Sequence, residues 1–84
     1  MNLIELAFIY TDLVKAEEEI PDEEFKAKDL LNSLRTKYHQ MLMDKMRAEG
    51  VDFMDRFDAT RWAFQMVRED LHKPSPKRSQ AEQA

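Results

Sequence analysis

The chain has 84 residues, with 13 Lys and Arg against 17 Asp and Glu and no cysteine, for a net charge of −4 at neutral pH. That length allows one small domain, whose core supplies only about 3–5 kcal/mol of net stability without staples or a partner. The missing thiols exclude disulfides and thiolate metal sites within it, and 43% apolar with 36% charged residues suits a soluble, helix-rich protein.

The charge is divided unevenly. Residues 1–25 carry eight acids against Lys15, a balance of −7, and the remainder balances to +3. The acids gather around the first connection, which suits helix-end chemistry and solubility better than a nucleic-acid footprint. No basic leader precedes Lys15, and Glu5 and Asp12 interrupt the first apolar run, so no signal peptide is expected. No window reaches the roughly 18 apolar residues of a membrane span. The expected location is the cytoplasm, with no membrane contact.

A first helix is predicted from Asn2 to about Glu18, with Asn2 and Glu5 spaced as a capping box. Its stripe is Leu3, Leu6, Ala7, Tyr10, Leu13 and Val14, while Ile4 and Phe8 lie well away from it. A helix apolar nearly all round is usually buried on more than one side. Pro21 disfavours a helical Ile20 and ends it.

The second helix is predicted from Pro21 or Asp22 to Glu49, about 27 residues or roughly 40 Å at 1.5 Å per residue. Proline followed by Asp22, Glu23 and Glu24 is a strong start, since the absent N–H costs nothing there and carboxylates suit the positive end of the dipole. Gly50, the only glycine, marks a left-handed stop. The core stripe is read as Ala27, Leu30, Leu31, Leu34, Tyr38, Met41 and Leu42. Phe25, His39, Met43 and Met46 form a second, uncharged face. On this reading the long helix is the backbone along which the others pack.

A third helix is predicted from Asp52 to His72, with Asp58 as an alternative cap for a later start. Phe53, Phe57, Thr60, Phe64, Val67 and Leu71 form its stripe, and Trp62 and Met66 project from nearly the other side. From Lys73 two prolines and no large apolar residue predict a disordered tail over 73–84. The expected fold is therefore all-α. It is a three-helix antiparallel bundle or a helical hairpin with a long central helix, in one domain over 1–72.

No catalytic constellation emerges, no metal site is expected and no cofactor is implied. Glu69 and His72 have the spacing of carboxylate-bridged di-iron bundles, but those need a second such pair and two more glutamates. His39 has no nucleophile or orienting carboxylate assignable to it. Arg35, Lys37, Lys45 and Arg47 with the basic tail suggest a nucleic-acid regulator as the alternative, against which the interleaved acids weigh. The leading expectation rests on the surplus apolar faces. It is a non-enzymatic interaction module (an adaptor, inhibitor or assembly factor) that binds a protein partner and self-associates as a homodimer. Its expected contact residues are Phe8, His39, Met43, Met46, Trp62 and Met66.

Overall fold

The structure is a computed structural model and describes residues 1–72. The predicted tail lies outside the described residues. Those residues form a three-helix bundle with no strand: α1 (Leu3–Glu19), α2 (Phe25–Ala48) and α3 (Arg56–His72).

Local chemistry explains the ends of α1. The Asn2 carboxamide accepts the Glu5 N–H at 2.9 Å and Glu5 Oε1 accepts the Asn2 N–H at 3.0 Å, closing the predicted capping box. Ile20, before the proline, is extended at φ −80° and ψ 130°, so the helix stops at Glu19.

The start of α2 differs from the expectation. Pro21 to Glu24 form a turn of their own, closed by the Glu24 N–H on the Pro21 carbonyl at 3.0 Å, and the helix begins at Phe25. Asp22 reaches forward to Lys28 at 2.8 Å across that turn. At its other end the Val51 N–H bonds the Met46 carbonyl at 2.8 Å and the Gly50 N–H bonds the Arg47 carbonyl at 3.2 Å, the paired bonds of a Schellman motif. Gly50 sits at φ +74°, where a Cβ would be strained whatever the space around it.

The connection from 49 to 55 then doubles back along α2. Phe53 lies under the Arg47 guanidinium, 5.1 Å away, and the Arg56 carbonyl reaches His39 at 3.0 Å, two turns earlier in α2. Because Val51 and Phe53 pack against the core outside any helix, α3 starts later than Asp52. Asp55 is the cap: its carboxylate accepts the Asp58 N–H at 2.8 Å, while Asp58 accepts the Met54 N–H at 3.0 Å.

The central packing element is α1, not α2. Its Leu6, Ala7, Tyr10 and Thr11 are buried, and it packs against both other helices, whereas α2 and α3 touch little. From α2 the core takes Leu42 and Met46; from α3 it takes Ala59, Ala63 and Val67. The predicted stripes are therefore rotated. Leu30 and Met41 are exposed, and so are Phe57 and Leu71, while the buried face of α3 is a row of small side chains at every fourth position. Small buried residues on both helices, Ala7 and Thr11 on α1 and Ala59 and Ala63 on α3, suit a close approach of the two backbones. The Thr11 hydroxyl is satisfied within its own helix, donating to the Phe8 carbonyl at 3.2 Å.

Candidate functional site

The three helices meet around His39. Its ring stacks on Tyr10, centroids 5.0 Å apart and planes 28° apart, so α1 and α2 join through two aromatic faces. His39 Nε2 lies 3.0 Å from the Arg56 carbonyl and 3.3 Å from Thr60 Oγ1. A carbonyl only accepts, so Nε2 carries the proton and the neutral ring has its lone pair at Nδ1. The Thr60 hydroxyl donates to the same carbonyl at 3.1 Å, which leaves Tyr10 O–H as donor to Thr60 Oγ1 at 3.0 Å. Every hydrogen in this chain of bonds is committed. His39 is thus not aligned as a base toward Thr60, and the cluster acts as a polar latch between the helices.

Burial lowers the His39 pKa below its ordinary value of 6.5; the nearby Arg56 and Arg35 charges add to this, and the bond to the Arg56 carbonyl opposes it. The folded state therefore binds fewer protons here than the unfolded chain. The stabilising contribution is complete above about pH 6.5 and is lost as pH falls through the folded value. Urea midpoints at pH 7.5 and 5.5 should differ in the wild type, and differ less in His39→Gln, whose amide can still donate to the carbonyl. An unchanged difference in the variant would show that protonation of His39 does not loosen the latch.

Beside the latch is an open cleft of about 380 Å³. Arg35, Thr36 and His39 line it from α2, Arg56 and Phe57 from α3, and Val14 from α1; no carboxylate lines it. Arg56 lies over the Phe57 ring at 5.7 Å and makes no ion pair among the described residues. Its neighbour Asp55 is engaged in capping. Arg35 Nε is 3.1 Å from Glu17 Oε2, but that buried oxygen is outside hydrogen-bond geometry, so the two share charge without a directed bond.

The expected contact residues do not gather in one place. Met46 is fully buried, so it belongs to the core and not to a surface. Phe8, Met43 and Trp62 are half-buried and pack against that core, and Met66 is half-buried on α3. Only His39 reaches the cleft. What the sequence reading missed is that residues of the expected core stripes stand in solvent, Leu30 at 64% exposed, Phe57 at 69% and Leu71 at 58%; Phe25, read as part of the second face of α2, is 69% exposed. Phe25 carries a sequence signal, since it precedes the part of α2 that α1 can cover.

The other candidates are solvent-facing. Glu69 and His72 are both exposed, and Glu69 accepts from Gln65 at 3.3 Å. Of the suggested basic patch, Lys45 pairs with Glu49, Arg47 with Asp44 and Arg35 with Glu17, so most of its charge is matched within the chain. Among the described residues no helix is long and apolar enough to cross a membrane. No family model, curated protein or solved structure matches the chain.

Proposed function

We propose that this protein is a non-enzymatic helical interaction module, of the adaptor, inhibitor or assembly-factor kind, that self-associates and works in the cytoplasm. One observation carries the reading: the apolar surface is distributed the wrong way round for a self-sufficient domain. Three of the eight buried apolar residues are alanines, while Phe25, Leu30, Phe57 and Leu71 stay more than half exposed. A small core gives marginal stability, and large exposed apolar side chains mark interaction surfaces. Burying such surface between copies stabilises the folded state by mass action, and a twofold dimer is the commonest form.

The contact surface proposed here is centred on Phe25, Phe57 and the cleft, with Trp62 and Met66 as a second flank of α3. Light scattering over a concentration series tests it. A concentration-dependent rise from monomer to dimer mass is expected, and a strict monomer at high micromolar concentration would remove the self-association.

A further inference from the structure

The cleft and the α1–α2 turn are opposite in charge, and both carry an exposed phenylalanine. In the cleft Arg56 has no ion-pair partner among the described residues, Arg35 shares its charge with Glu17 and His39 is neutral, beside the exposed Phe57. At the turn, Glu18, Glu19, Glu23 and Glu24 are all exposed and make no ion pair among the described residues. Counting Lys26 and Lys28, residues 17–28 still balance to −4. Phe25, at the first position of α2, stands out of this acidic turn.

We infer that the cleft formed by Arg35, Arg56 and Phe57 receives the acidic turn Glu18–Phe25 of a second copy of this chain. This rests on the self-association proposed above and specifies its surface. Three observations support the occupant. Arg56, in the wall of the cleft, has no ion pair among the described residues and can take a carboxylate, while Arg35 beside it already shares its charge with Glu17 at 3.1 Å. The turn supplies carboxylates and an aromatic side chain together, and the cleft presents guanidinium groups and an aromatic ring together. Finally, the Glu17–Arg35 pair joins the last turn of α1, which leads into the acidic turn, to the cleft wall about 15 Å along α2 from Phe25 at 1.5 Å per residue, so that turn and cleft are neighbouring parts of the α1–α2 pair. A twofold axis that sets one turn against the partner's cleft also sets the partner's turn against the first cleft, so the contact closes on itself instead of extending into a fibre. Charge complementarity of this kind sets register and excludes wrong partners.

Charge reversal tests it on the full chain. Arg56→Glu alters the cleft and suits the first turn of α3, where the dipole favours a carboxylate. Glu19→Lys with Glu23→Lys alters the turn. Each variant should keep its helical circular dichroism and dimerise at least about tenfold more weakly than the wild type. Wild-type dimerisation should also weaken as salt is raised. Mixing the two variants should restore dimers. In the mixed pair one wild-type cleft meets a wild-type turn, and the altered cleft meets the altered turn with both charges reversed.

Dimers indifferent to both reversals would overturn this surface while leaving self-association standing. Sensitivity to Arg56→Glu alone would assign the cleft to a different acidic segment and also overturn it. A wild-type protein that never dimerises would remove the inference together with the reading on which it rests.

Discussion

Leu42→Ala is expected to destabilise the protein by about 2–5 kcal/mol, enough to unfold most of it at ambient temperature. Leu42 is fully buried on the face of α2 that meets α1, and with Met46 it is among the largest fully buried side chains of the core. Its truncation loses the transfer free energy of the removed atoms and leaves a cavity that neighbours held in packed helices fill only in part. Leu30→Ala is the matched control. Leu30 is on the same helix but 64% exposed, and its truncation should change stability by no more than about 0.5 kcal/mol. Urea denaturation followed by helical circular dichroism measures both. Equal losses at the two positions would mean that α2 is rotated about its axis from the arrangement described.

That rotation is also where the sequence runs out. The capping box of Asn2 and Glu5, the stop before Pro21 and the left-handed Gly50 are local, because each is decided by a few neighbouring residues. All three are visible in the sequence. The phase of α2 is different. Its apolar residues from Ala27 to Leu42 cover a wide arc, and periodicity cannot say which part of a wide arc points inward. The neighbour decides, and α1 takes the side with Leu42 and Met46. In α3 the centre of the contact is invisible for another reason: Ala59 and Ala63 carry little hydrophobic signal, and the flanking aromatics carry much. Asp52, Asp55 and Asp58 are equally good caps by chemistry. The choice among them follows from how Val51 and Phe53 pack, a tertiary fact. The latch joins residues up to fifty apart, Tyr10 to Thr60, so no spacing rule would find it. The cleft beside it inherits the same opacity.

Ala63→Leu is the second large effect expected, and it bears on the cleft as well as on stability. Ala63 is fully buried, and the row it shares with Ala59 and Val67 is the side of α3 that faces α1. Leucine is nearly as good a helix former as alanine, so the substitution leaves the propensity of α3 almost untouched. Any loss then reports the closeness of the two helices. Forcing the extra atoms between them should cost about 3 kcal/mol, at the upper end of ordinary overpacking, because Ala63 is fully buried. Gln65→Leu, on the exposed side of the same helix, should be close to neutral. Since α3 touches α2 little, its seat on α1 is what sets the position of Arg56 and Phe57 opposite Arg35. A displaced α3 opens the latch at Thr60 and draws one wall of the cleft away from the other. Ala63→Leu should therefore weaken self-association even at concentrations and temperatures where the chain remains folded, whereas Leu30→Ala should not reach the cleft at all. If Ala63→Leu is as stable as the wild type, α1 and α3 are farther apart than this packing requires, and the small residues of α3 are not what brings the cleft together.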